Sequence, residues 1–390
     1  MGIKMYSLPK PNKIQNKLLY KLINENSKIT KTSTIYKELS KNHWDNIAKP
    51  LDSLGEFELI FQKLSAITES SIPNITKKCI IVMCADNGVV EEGISQSDKD
   101  VTLAVAKSMA KGTSSISVLS RAQKVKLIIC DIGIDSEDKE IYALGVHNYK
   151  LMHGTNNFLK MKAIPFETVL NAVFTGIKLV NEQKNVGINI IGTGEMGIGN
   201  TTTSTALASV LLNISPDKIT GKGAGLDNTG VLRKINVIKK GIDIHKFNTE
   251  QFYKCLKSKN EHERIISIID LISSIGGLDI AAMTGIFLGG ALYKIPVVID
   301  GVISEIAALI AYFINPLCSE YMIASHLSKE PVADKIFDIL KLKPVINASL
   351  ALGEGSGCAL MFPLLDLISE IYQKNASFVD IEIEEYKRFL

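Results

Sequence analysis

The sequence predicts an α/β chain: an open parallel sheet with helices on both faces, plus a small helical domain built from both termini. Three observations carry this. Four short apolar runs, "CIIVMCADNG", "VKLIICDIGI", "VGINIIGTGE" and "IPVVIDGVIS", each end in glycine or polar residues. Helical stretches such as "DVTLAVAKSMAKG", "NTTTSTALASVLL" and "GLDIAAMTGIFLGGALYK" alternate with them. No long linker and no tandem repeat interrupts the alternation. Apolar runs of this length, nearly unbroken, suit strands buried on both faces, as in parallel sheets.

Taken in order, residues 1–45 are rich in Lys, Asn, Ser and Thr. A helix is expected around residues 12–24 and a solvated extension otherwise, which sets residues 1–43 apart as a partly helical N-terminal extension. "KPLDSLGEFELIFQKLSAI" then opens an amphipathic helix: Phe57, Ile60, Phe61 and Leu64 recur at helical spacing, and Ser53 precedes Glu56 in capping-box arrangement. Residues 44–75 together with 365–390 are expected to form the small helical domain, and 76–364 the large catalytic α/β domain. Near the C-terminus, "LGEGSGCALMFPLLDLISEIY" reads as a turn running into a helix.

Composition narrows the function classes. With 44 basic and 41 acidic residues the net charge is +3, which gives no support for nucleic-acid binding. The six cysteines are scattered without CxxC spacing, as expected of reduced thiols in a cytoplasmic protein. The six histidines form no HxxxH or HxH pattern, so no metal site is expected. The N-terminal stretch lacks the continuous apolar core of a secretory signal. The most apolar region, residues 280–318, is cut by Lys294, Asp300 and Glu305, so buried helices and strands are expected there and no membrane contact.

Ligands of open α/β sheets bind outside the carboxyl ends of the strands. Those ends carry Asp86, Asn87 and Gly88; Asp131 and Gly133; Gly192, Gly194 and Glu195; and Asp300 and Gly301. In "GTGEMGIGNTTT" the glycines precede a helix start, whose free N–H groups can hold a phosphate; a ligand-free turn is the competing reading. Asn200 and Thr201 follow Gly199 where an ATP-binding loop would have lysine, so adenine-nucleotide hydrolysis is not indicated. In "LGEGSGCAL", Glu354 stands between glycines on approachable backbone. An apolar pocket would raise its pKa and suit it to general-base work, whereas a helix N-terminus would lower it. "TGKGAGLDNTGVLRK" offers Lys222, Arg233 and Lys234 as phosphate partners or as a solvated basic loop. Asp86 could hydrogen-bond a sugar hydroxyl or cap the next turn, and Ser95 could reach a ligand. Together these residues fit displacement at a sugar carbon: an anchored phosphate, a carboxylate removing a proton from the nucleophile, and charge screened on the sugar.

In this order and at these spacings, "KPLDSLG", "CADNGVVEEGIS", "GTGEMGIGNTT", "GKGAGLDNTG", "IPVVIDGVIS", "ASHLSKEP" and "LGEGSGCAL" resemble the nicotinate-nucleotide:5,6-dimethylbenzimidazole phosphoribosyltransferase family, from about Lys49 to Phe378. The resemblance implies a Rossmann-like α/β fold and a metal- and cofactor-independent reaction. Nicotinate mononucleotide would pass its phosphoribosyl group to 5,6-dimethylbenzimidazole or a related base, with inversion, giving α-ribazole 5'-phosphate and nicotinate. It implies Glu354 as general base with Glu195 also catalytic. Gly194, Gly197, Gly199, Asn200, Thr201, Lys234, Ser328 and Asp86 are implied around phosphate and ribose, and Ser95, Leu103, Met196 and Leu352 around the base. A homodimer is likewise implied. The chain departs from the family pattern at Asn87 (usually histidine), Leu103 (often glutamine) and Ala351 (often arginine). Two rival activities are a binding protein that has lost turnover and a hydrolase that uses water; the intact Glu354 and Glu195 oppose the first, and apolar Leu352 and Met196 the second.

Overall fold

Six strands form one sheet: β1 (Lys78–Ala85), β2 (Lys126–Gly133), β3 (His147–Asn148), β4 (Ile190–Met196), β5 (Val297–Ile299) and β6 (Met322–Ala324). The computed structural model describes residues 6–223 and 225–388. All pairings are parallel, in the order β3-β2-β1-β4-β5-β6. The order reverses between β1 and β4, which is the switch point where such sheets bind ligands. Four strands coincide with the four apolar runs. β3 and β6 were not expected; two and three residues are too short to leave a sequence pattern.

Along β1, Cys79, Ile81, Met83 and Ala85 enter one buried cluster, while Ile80, Val82 and Cys84 enter another on the opposite face. That alternation follows from the two-residue period of a strand. The first cluster is built with α1 (Lys13–Asn26), α7 (Phe166–Asn185), α8 (Asn200–Leu212), α9 (Asn228–His245), α10 (Glu250–Leu256), α11 (Glu261–Ile275), α12 (Leu278–Tyr293), α13 (Val302–Ile314) and α14 (Ala333–Leu340). The second is built with α2 (Thr34–Asn46), α3 (Glu56–Thr68), α4 (Asp100–Ala110), α5 (Ser115–Ala122), the short α6 (Glu140–Ala143) and α15 (Ser356–Lys374). α12 is apolar on all sides because it is buried on all sides. A Cβ on Gly176 would lie 2.0 Å from the Ala282 carbonyl, and one on Gly285 as close to that of Val173, so glycines let α7 and α12 touch backbone to backbone.

The two termini meet in an aromatic group: Trp44 lies 4.8 Å from Tyr372 and 5.9 Å from Phe61 between ring centroids. Trp44, Phe61, Leu365 and Tyr372 belong to the same cluster as Ile80 and Val82 of the sheet.

Two expectations need correction. Residues 6–43 are not a solvated extension. Leu19 and Leu22 of α1 are buried, α2 forms a second helix, and the Tyr6 hydroxyl donates to Asp270 at 3.1 Å. A few well-spaced apolar residues suffice to dock these helices, and their polar outer faces mask that in the composition. The Ser53–Glu56 capping box does not form. Gly55 is the N-cap of α3 with φ +54°, and no side chain caps the helix there. Buried Glu58 instead accepts from the Leu54 N–H at 3.0 Å and from Lys49 at 2.7 Å.

Candidate active site

A cleft of about 330 Å³ opens at the carboxyl ends of β4, β5 and β6, beside the switch point. Its size falls in the usual range for small-molecule sites. Glu195 and Met196 at the end of β4 form one wall together with Gly197, Gly199, Asn200 and Thr201. Gly199, with φ +91°, is the N-cap of α8, and no side chain caps this helix start. The Asn200 N–H is bonded to the Gly197 carbonyl and the Thr202 N–H to that of Gly199, so it is chiefly the Thr201 N–H that this helix start offers an anion. Behind it, fully buried Lys234 donates to Thr201 Oγ1 at 2.9 Å. Burial lowers the Lys234 pKa to about 8, opposed by nearby Glu330.

The loop Leu352–Glu354 lines the cleft beside Glu195: a Cβ on Gly353 would lie 2.6 Å from Glu195 Oε1. Gly353, Glu354 and Gly355 have φ of +76°, +61° and +92°. A non-glycine residue in the left-handed region costs on the order of 1–3 kcal/mol and persists only where its surroundings fix it. Here buried Asp300, at the end of β5, accepts from the Gly355 N–H at 2.9 Å and the Gly357 N–H at 2.7 Å, pinning the start of α15. Gly194 supplies the room: a Cβ there would stand 2.7 Å from the Glu354 carbonyl oxygen. Glu354 Oε2 accepts from the Ile116 N–H, in the first turn of α5, at 3.4 Å. Burial raises the Glu354 pKa, and that N–H opposes the rise. Both physical effects expected from the sequence thus operate, with burial the larger, and the opposing helix is α5 rather than Glu354's own helix.

Glu195 shares a network below the cleft. The Asn200 amide donates to Glu195 Oε2 and to Asp279 Oδ2, the latter at 3.0 Å. Burial, and then the charge of Asp279, raise Glu195 to about 8; burial raises Asp279 to about 6. Glu195 is therefore mostly protonated at neutral pH. Among the described residues, no group of three or more His, Cys, Asp or Glu side chains is gathered so as to hold a metal.

Of the residues that the resemblance implies around the substrates, Glu354, Glu195, Gly197, Gly199, Asn200, Thr201, Ser328, Ser95, Met196 and Leu352 all line the cleft. Four do not. Lys234 acts from behind Thr201. Gly194 makes space for the Glu354 loop and lies within β4. Asp86 is buried and ties β1 to β2, with Oδ2 accepting from the Asp135 N–H at 2.8 Å. Leu103 is partly buried against the second cluster and does not line the cleft, whereas Val101 and Val105 of the same helix do. Residues four apart share a helix face, and a residue two from each points away. The carboxyl end of β2 also lies outside: Asp131 accepts from Tyr142 Oη and the Ile134 N–H. Arg233 donates to the Gly93 carbonyl, whereas Lys222 reaches the cleft lining. Asn87 holds the 197–199 loop, its amide donating to the Ile198 carbonyl at 3.4 Å.

Sequence reading missed Val101, Val105 and Asp279, and the pinning role of Asp300. A helical-face reading of "DVTLAVAKSM" would have found the two valines; no local pattern signals a contact between Asp300 and residues more than fifty positions on.

Residues 29–383 match the model of a family described as phosphoribosyltransferase. A nicotinate-nucleotide–dimethylbenzimidazole phosphoribosyltransferase of Ruminiclostridium cellulolyticum is 43% identical over 343 residues, covering 88% of this chain and 92% of that protein. The protein of that name from Clostridium acetobutylicum is 42% identical with the same coverage. Among solved structures, the enzyme of that name from Thermus thermophilus superposes with a TM-score of 0.79 at 26% identity, covering 91% of this chain and 100% of that one.

Proposed function

Because the chain belongs to the nicotinate-nucleotide:dimethylbenzimidazole phosphoribosyltransferase family, we infer how its cleft carries out that transfer. The chain moves the phosphoribosyl group of nicotinate mononucleotide to 5,6-dimethylbenzimidazole. The phosphate sits against the uncapped start of α8, with Thr201, Lys234 and Ser328 around it. The acceptor base lies against Val101, Val105, Met196 and Leu352, beside Ser95.

Glu354 removes the N–H proton of the benzimidazole. The other ring nitrogen forms a bond to the anomeric carbon as the bond to nicotinate breaks, with inversion, giving α-ribazole 5'-phosphate. The electron pair of that breaking bond returns to the pyridine nitrogen and cancels its positive charge, so the leaving group needs no protonation. Glu195 is neutral before the nucleotide arrives, and the cationic pyridinium ring of the bound nucleotide favours its ionised form. Its carboxylate then screens charge developing on the sugar.

The observation that carries these roles is the pair of carboxyls, Glu354 and Glu195, lining one cleft from adjoining segments, both with pKa values raised by burial. Catalysis is assigned to residues 76–364, with 44–75 and 365–390 as the supporting helical unit and 1–43 as the extension. A homodimer and a cytoplasmic location belong to the same proposal; six unpaired, buried cysteines fit a reducing compartment. No helix among the described residues is long and apolar enough to cross a membrane.

The test is chromatographic. Nicotinate mononucleotide is incubated with the protein, with and without 5,6-dimethylbenzimidazole. Nicotinate and α-ribazole 5'-phosphate should appear in equal amounts, and only with the base. Nicotinate released without the base would mark a hydrolase instead.

A further inference from the structure

Glu305, on α13, has a side chain that the reaction above does not use. It is 0% exposed, and neither of its carboxyl oxygens has a hydrogen-bond partner. A buried carboxyl in that state carries an uncompensated desolvation cost, so natural folds rarely keep one without use. The polar side chain beside it is Ser328, which lines the cleft and whose Oγ is likewise buried without a partner. Ser328 stands near enough to act on the Glu305 carboxyl as a hydrogen-bonding neighbour, which favours its ionised form, although the pair falls short of full hydrogen-bond geometry. The charged groups facing Glu305 are Asp300 at the end of β5, Glu330 in the loop after β6, and Asp334 on α14. All are acidic. Burial, and after it these acidic neighbours, push the Glu305 pKa up to about 8 against the opposing effect of Ser328, so the group is neutral in the ordinary working range. A neutral carboxyl has an O–H to donate; an ionised one only accepts.

We propose that Glu305 is a positioning residue for the nucleotide phosphate: its carboxyl O–H donates to Ser328 Oγ and thereby turns the Ser328 O–H outward to a phosphate oxygen. This rests on the phosphate site assigned above. Ionisation of Glu305 reverses the arrangement. Ser328 then donates inward to the carboxylate, and a buried negative charge stands behind the phosphate. The grip therefore weakens as pH rises through the folded pKa of Glu305. Lys234 loses its proton in the same range, so the wild-type pH profile cannot separate the two, and substitutions are needed.

The experiment compares wild type with Glu305→Leu, Glu305→Gln and Ser328→Ala at about pH 6.5 and about pH 9. It measures KM for nicotinate mononucleotide, KM for the base, kcat, and inhibition by ribose 5-phosphate as a probe that cannot react. Glu305→Leu should raise both KM for the nucleotide and Ki for ribose 5-phosphate about tenfold at the lower pH, leaving KM for the base within about twofold. Glu305→Gln keeps a neutral donor at every pH. It should restore tight binding at the lower pH and lose part of the wild-type weakening at the higher one, the remainder being that of Lys234. If Ser328→Ala weakens ribose 5-phosphate while Glu305→Leu leaves it unchanged, the inference is overturned and the phosphate site stands. If Ser328→Ala also has no effect, the phosphate site itself is wrong and the inference falls with it. Should Glu305→Leu fail to fold, Glu305→Gln decides alone: weakening between the two pH values as large as in wild type overturns the proposal.

Discussion

At the scale of single residues, the site depends on where side chains are absent as much as on where they are present. Gly194 leaves room for the Glu354 carbonyl, where a Cβ would come within 2.7 Å of it. Gly194→Ala should therefore destabilise the chain by roughly 1–3 kcal/mol and also lower kcat, measured by denaturant midpoint and steady-state assay. A substitution that shifts the midpoint but leaves kcat intact would show that the loop tolerates displacement. Lys234 is a buried cation that donates a hydrogen bond to Thr201. Lys234→Met keeps most of its stem and removes the charge, so KM for nicotinate mononucleotide should rise about 10- to 100-fold with the base KM little changed. The sequence motifs revealed the identity of most lining residues, because glycines and isolated carboxylates in apolar surroundings are conspicuous. They did not reveal that Gly194 and Asp86 serve packing and strand joining, since a residue type does not say which way its backbone faces.

At the scale of elements, three starts of helices do different work. The start of α8 is left without a side-chain cap, that of α5 offers an N–H to Glu354, and that of α15 is held by Asp300. Asp300→Asn replaces one accepting oxygen by an amide that must face an N–H donor. It should destabilise the start of α15 by about 1–3 kcal/mol and lower kcat at least about tenfold through the displaced Glu354, with the nucleotide KM less affected. An unchanged kcat alongside a lowered thermal midpoint would separate helix capping from catalysis. The long strands were legible because burial on both faces leaves a continuous apolar run, and α12 was legible for the same reason. β3 and β6 were not, because two or three residues carry no period. On α4 the motif pointed to Leu103 by its place after "DVT", while the 3.6-residue period turns Val101 and Val105 to the cleft.

At the scale of the whole molecule, burial of carboxyls links folding to pH. Glu195 and Glu305 have folded pKa values raised to about 8, and Asp279 to about 6, all above their unfolded values. The folded chain therefore binds more protons than the unfolded one between those limits, and stability falls as pH rises. The thermal midpoint should be lower at about pH 7 than at about pH 5, and Glu305→Gln should reduce the difference; a midpoint rising over that interval would contradict the assigned burial. Lys63 and Lys234, lowered by burial to about 7 and about 8, act in the opposite sense above that range. The polar outer faces of α1 and α2 hid the docking of the N-terminal helices, whereas the order of the motifs along the chain was enough to place the cleft at the sheet edge. The central claim is that Glu354 takes the proton from the acceptor base. It is tested most directly by kcat of Glu354→Gln with nicotinate mononucleotide and 5,6-dimethylbenzimidazole both saturating. A fall of about 10²- to 10⁴-fold, with both KM values near wild type, is the expected result. A kcat within about threefold of wild type would contradict it and leave the cleft without its base.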